Sequence, residues 1–112
     1  MPKRDDRVSL RQMLVHAREA HALVQGKGRS DLDRERVLVL ALLQLLQILG
    51  EAAGRISPAY CAAHPSVQWA QIVSLRNRLI HGYDAIDLDI VWSILSTDLP
   101  PLIVQLEQLT TE

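Results

Sequence analysis

The stretch Val37-Leu38-Val39-Leu40-Ala41-Leu42-Leu43 decides the fold. Seven successive apolar residues cover two helical turns and leave no polar face. The run continues to Gly50, interrupted by Gln44 and Gln47. Leu and Ala are strong helix formers, and the flanking pattern predicts one helix from about Asp31 to Ala53. Ser30, followed three residues later by Asp33, reads as a weak N-terminal capping signal for it. A helix apolar all round must be covered all round. A chain this small rarely supplies that cover itself, so a partner subunit is the plainest cover. The alternative is a central helix inside its own bundle.

Working outward, the rest of the chain also reads as helix. Leu10, Met13, Leu14, Ala17, His21 and Val24 step by three and four, predicting a helix from about Asp6 to Gln25 that Gly26-Lys27-Gly28 breaks. Ser57-Pro58 fits the cap and first turn of a short helix through about Ala63, ended by His64-Pro65. A further helix is expected from near Val67, with Trp69, Ile72, Val73, Leu79 and Ile80 on its apolar face and Gly82 as its stop. Asp87 can cap the last helical region, where Pro100-Pro101 predicts a kink or a restart. No segment alternates for long enough to compete as a strand. The expectation is one all-α domain over residues 1–112, with four main helices and one short one.

Composition agrees and excludes several classes. The 112 residues are 48% apolar and 22% charged, with 19 Leu, 11 Ala and no Phe, so the core is aliphatic and the chain is not a disordered one. Twelve basic against thirteen acidic residues leave a net charge of −1. A protein that coats nucleic acid by bulk charge is far more basic, so any RNA or DNA chemistry must come from a local site. A single cysteine, Cys61, excludes an intrachain disulfide and a multi-cysteine zinc site. Without a sequence-near activator it reads as a small hydrophobe. Met1–Gln12 carries charges with no apolar core behind them, and the Val37–Gly50 run is shorter than a membrane span. A cytoplasmic protein without a membrane segment is expected.

Most polar residues have ordinary readings. His16 and His21 are five apart, so they do not share a helical face as metal ligands would. His21 reads as a boundary residue of the core and His64 as a surface loop residue. One cluster stands apart: Arg76-Asn77-Arg78-Leu79-Ile80-His81-Gly82-Tyr83 gathers two guanidiniums, a carboxamide, an imidazole and a phenol near a helix end. Cations are favoured at a helix C-terminus, so Arg78 and His81 could serve stability alone. In a continuous helix Arg76 and His81 would lie roughly 140° apart and would not converge on one phosphate. They converge if the helix ends at His81 and Gly82 turns the chain, or if two copies face one cleft.

Arg-x4-His, with Asn after the Arg and Tyr two after the His, resembles the signature of the HEPN superfamily. The surrounding chain is similar to its HepT branch. The matching stretches are Arg4–Arg7, Ile48–Ala53, His64-Pro65, Trp69, Arg76–Tyr83, Asp87–Trp92 and Asp98-Leu99-Pro100. The chain departs from the pattern at Leu45 and Gln47, where relatives often carry polar or charged residues, and in a shorter segment between Gly28 and Val37. The resemblance implies a homodimeric all-α HEPN bundle and a metal-independent endoribonuclease toxin, with Arg76 and His81 as its active pair and no cofactor. Asn77 and Arg78 are supporting candidates for positioning and phosphate contact. It further implies an MntA-type nucleotidyltransferase antitoxin that transfers AMP to Tyr83. A non-catalytic HEPN binding subunit of a nucleotidyltransferase pair is the alternative, and a helical partner protein without a site is a third.

Overall fold

A computed structural model describes residues 5–81 and 85–111, with His81 described by its backbone. Arg4, Gly82 and Tyr83, which the sequence singles out, therefore lie outside the described residues.

Helix α1 (Asp6–Leu23) starts where Asp5 accepts a hydrogen bond from the Arg7 amide at 2.9 Å. It ends ahead of Gly26, whose φ of 76° only glycine adopts without strain. Its Leu10, Met13, Leu14, Ala17 and Ala20 are buried, the face that the spacing predicts. The long helix expected over 31–53 is instead two. Helix α2 (Asp31–Arg34) is one turn, and α3 (Arg36–Gly54) follows after Glu35 leaves helical geometry at φ −112°, ψ 79°. Lys27 holds the Glu35 carboxylate at 3.0 Å, tying this break to the glycine loop. Ser30 makes no capping bond; the Asp31 carboxylate accepts from the Gly28 amide at 2.7 Å instead. That bond, then Arg34 beside it, holds the Asp31 carboxyl below its usual range.

Helix α3 is the spine. Helix α1 packs along it and against the C-terminal helix, and the helical segments at 69–73 and 75–79 also pack on α3. Leu42, Leu46 and Leu49 are fully buried, yet Val37 is 82% and Leu40 47% exposed. Within one chain the apolar stretch is thus covered on one side only. The helix is long and apolar enough to pass for a membrane span by length and composition, but half of it is buried in the bundle. Gly50 sits at a close approach of two backbones: a β-carbon there would stand 2.9 Å from the Ile72 carbonyl oxygen.

Helix α4 (Pro58–Ala63) has the expected cap. The Ser57 hydroxyl accepts from the Tyr60 amide at 3.2 Å and donates to Asp6 at 2.7 Å, which binds the start of α1 to α4. The helix expected from Val67 begins at Trp69 and is broken in two. Helix α5 (Trp69–Val73) stops where the Ser74 hydroxyl donates to the Gln71 carbonyl at 3.1 Å, a local bond that competes with the helical ladder. Helix α6 (Leu75–Leu79) then stops two residues before His81 rather than at Gly82. Ile80 is extended at φ −120°, ψ 121°, as suits a β-branched residue. Strand β1 (Ile80–His81) pairs antiparallel with β2 (Ala85–Ile86), Ile80 opposite Ile86 and His81 opposite Ala85. This two-residue ribbon is too short for any alternation to announce it.

Asp87 caps α7 (Leu88–Ser93) by accepting from the Ile90 amide at 3.1 Å, as expected. The effect of Pro100-Pro101 is a restart of a particular kind. Neither proline has an N–H to offer the carbonyls of Ser96 and Thr97. The backbone widens into a π-helical turn over Ile94–Asp98, with the Leu99 amide bonded to the Ile94 carbonyl, and α8 (Leu99–Thr110) begins with the two prolines in its first turn. The architecture is all-α as expected. It has more and shorter helices than the four main ones and one short one that the sequence suggests.

Candidate functional site

The Arg76–Tyr83 string spans a change of backbone geometry. Arg76, Asn77 and Arg78 lie on α6, whose buried Leu75 and Leu79 pin it to the core. Ile80 and His81 run on as the first strand of the ribbon. The Asp87 amide donates to the Leu79 carbonyl at 3.1 Å, so the last turn of α6 and the cap of α7 are clamped together at the base of the ribbon. Tyr83 lies outside the described residues. Because α6 ends at Leu79, the azimuth of a continuous helix does not apply to Arg76 and His81. The chain leaves the helix two residues before His81, rather than at His81 as the first of the two geometries supposes.

The two arginines part company. They are two residues apart on a helix, about 200° in azimuth, so they leave α6 on nearly opposite sides. Arg76 is exposed, and no hydrogen bond or ion pair engages its side chain among the described residues. Arg78 is half-buried and reaches Asp98 of the π-helical turn at 3.4 Å. It borders a cavity of about 270 Å³ between α5, α6 and the start of α8. Asn77 is exposed between them. Sequence reading grouped Arg78 with Arg76 and overlooked Asp98 as its partner; twenty residues separate the pair, and no local pattern links them.

The other histidines are occupied elsewhere. His16 donates through Nδ1 to the Gln12 carbonyl at 2.6 Å. His64 lies just past α4, partly exposed, but its ring is engaged: it stacks on Tyr60 at 4.1 Å between ring centroids and donates through Nδ1 to the Tyr60 carbonyl at 3.0 Å. Its own carbonyl accepts from the Trp69 indole at 2.9 Å, which fixes the entry to α5. His21 is a boundary residue as expected; the Gln25 amide donates to Nε2 at 2.9 Å, and its buried Nδ1 has no partner among the described residues. Burial, with the Asp6 charge second, pushes the half-buried Cys61 thiol up, against any role as a nucleophile. Among the described residues, no three His, Cys, Asp or Glu side chains gather as a metal site would need.

The fold is an all-α bundle of the kind expected, with an exposed arginine on a short helix and a histidine on the strand that follows it. The chain belongs to the ribonuclease HepT-like family, which matches residues 10–109. A protein named as a candidate RNase of Methanocaldococcus jannaschii is 30% identical over 107 residues, 96% of this chain and 98% of its own. Another from the same organism, also named as a candidate RNase, is 26% identical over 109 residues, covering 97% and 90% of the two chains. A protein named as a probable ribonuclease HepT, from Thermococcus cleftensis, is 32% identical over 69 residues, 62% of this chain and 63% of its own. No solved structure matches the chain.

Proposed function

We propose that this protein is an endoribonuclease that cleaves RNA without a metal ion, through Arg76 and His81. The observation that carries the reading is the exposed Arg76, unengaged among the described residues, at the point where α6 gives way to the strand bearing His81, in a chain of the ribonuclease HepT-like family. The chemistry needs few groups. A base removes the proton of the ribose 2′-OH, the 2′-oxygen attacks phosphorus, and the P–O5′ bond breaks. An acid protonates the departing 5′-oxygen, and a 2′,3′-cyclic phosphate remains. Imidazole can do either task near neutral pH. The phosphorane gains charge on its equatorial oxygens, and the Arg76 fork matches them.

The active form is a homodimer. The uncovered Val37 and Leu40 on α3 supply an apolar face for a second copy. Two copies bring two His81 to one cleft, one as base and one as acid. Asn77 positions the reacting groups. The protein acts in the cytoplasm as the toxin of a toxin–antitoxin pair, and an MntA-type nucleotidyltransferase neutralises it by transferring AMP to Tyr83. The added phosphate brings negative charge beside Arg76 and His81 and repels the RNA backbone.

The test is an RNA oligonucleotide carrying a single 2′-deoxyribose at the cleaved position. Cleavage there stops while neighbouring sites are still cut, and the normal product ends in a cyclic phosphate. Cleavage at the deoxy position would overturn the mechanism.

A further inference from the structure

The cavity beside Arg78 has the build of a site for a single planar ring system. At about 270 Å³ it lies just under the range of small-molecule pockets, about 300–1,000 Å³, too small for a large ligand. Its floor is apolar, formed by Leu49, Ile72, Leu75 and Leu99, all buried. Its rim is polar and of a particular kind. Gln68 and Gln71, side chains that end in carboxamides, line it from the α5 side, and Gln105 from α8. The Gln105 amide is already oriented, donating to the Ser66 carbonyl at 3.1 Å. Arg78 and Asp98 face each other across one end at 3.4 Å, a long and partly exposed contact that leaves both groups donor and acceptor capacity to spare.

We propose that this cavity is a base-binding subsite, taking the base of a nucleotide that flanks the cleaved phosphate in single-stranded RNA. The inference rests on the ribonuclease reading and extends it. Unpaired RNA bases are recognised by splaying them into apolar slots or onto guanidinium planes and hydrogen-bonding their edges. The floor supplies the slot, the Arg78 guanidinium the charged plane, and the amides and the Asp98 carboxylate the edge contacts. The position fits the same polymer. Arg76 and Arg78 leave opposite sides of one helix about 10–12 Å across, so a strand crossing the end of α6 can meet Arg76 with a phosphate and the cavity with a neighbouring base. The π-helical turn forced by Pro100-Pro101 carries Asp98 to the rim; such turns recur at functional sites. A carboxylate accepts from an exocyclic amine, so Asp98 favours adenine, cytosine or guanine over uracil, which has none.

The experiment uses the His81→Ala protein, so that binding is read without cleavage. Each of AMP, CMP, GMP and UMP is titrated, with inorganic phosphate as the control, while the side-chain amide resonances of Gln68, Gln71 and Gln105 are followed by NMR. The three amine-bearing nucleotides shift these signals saturably and bind about fivefold more tightly than UMP, the worth of one hydrogen bond. Asp98→Ala removes that preference. Gln71→Trp, which fills the slot from an exposed position, removes the shifts while the protein still melts as a folded one. Equal responses to all four nucleotides, or shifts confined to residues around Arg76, overturn the proposal. So do shifts on dilution without nucleotide, which would make a second copy the occupant. Cleavage by the unmodified protein is measured separately, so an inactive enzyme with a working slot, or an active one without it, is told apart.

Discussion

Gly50→Ala and Gly54→Ala make the same chemical change four residues apart on α3, and the structure predicts opposite outcomes. At Gly50 an added β-carbon meets the Ile72 carbonyl oxygen at 2.9 Å, against ordinary contact from 3.4 Å. The obstacle is backbone, so α3 and α5 must separate by about half an ångström, and overpacking of this kind costs about 1–3 kcal/mol. Removing a glycine from a helix interior returns up to about 1 kcal/mol. The net is a loss of about 0–2 kcal/mol. At Gly54 nothing lies within 4 Å, so only the gain remains, about 0.5 kcal/mol or more at the end of the helix. The two variants should differ by about 1–3 kcal/mol, a separation of roughly 4–12 °C in Tm for a small domain. Thermal and urea unfolding by circular dichroism measure it. Equal stabilities, or Gly50→Ala the more stable, would refute the close approach of α5 to α3. Since α5 leads directly into α6, this contact sets where Arg76 stands.

Other outcomes follow from single contacts. Ser57→Ala loses the cap of α4 and leaves Asp6 short of a donor, costing about 1–2 kcal/mol by urea unfolding. The Asp31 carboxyl is held below its usual range, so its contribution is complete above the unfolded pKa, about 3.9, and is lost as pH falls through the lower folded value; Asp31→Asn should destabilise the protein at neutral pH and converge with the parent in strong acid. Sedimentation should give roughly twice 12.6 kDa at micromolar concentration, and Val37→Glu with Leu40→Glu should give a folded monomer; a monomeric parent would rule out the dimer. Coexpression with the cognate nucleotidyltransferase should add AMP mass to Tyr83 and none to Tyr83→Phe, and the Phe variant should stay toxic; full protection of that variant would mean neutralisation by occlusion.

What the sequence made legible was what depends on neighbours along the chain. The period of Leu10 to Val24, the Ser57-Pro58 start and the Asp87 cap are local patterns, and α1, α4 and α7 follow them closely. The breaks were hidden because distant or competing contacts make them. Glu35 leaves the helix where Lys27 holds it, and Ser74 breaks α5 from α6 with its own hydroxyl. At the site, the Arg76–His81 string was legible as a cluster of chemical groups. Its geometry was not, since the helix stops at an extended Ile80 and the ribbon that receives it is only two residues long. The divergence of Arg78 toward Asp98 depends on a π-helical turn twenty residues on, whose cause, Pro100-Pro101, was visible but whose effect was not.

The most direct measurement is RNA cleavage in excess chelator by the parent protein, Arg76→Ala and His81→Ala, with melting curves confirming that all three are folded. The parent should cleave RNA and leave a 2′,3′-cyclic phosphate. Each variant should lose at least about 100-fold in rate, the usual contribution of a general acid or base, while its stability changes by less than about 1 kcal/mol. Cleavage by His81→Ala at the parent rate, or cleavage by the parent only when Mg²⁺ is supplied, would contradict the account.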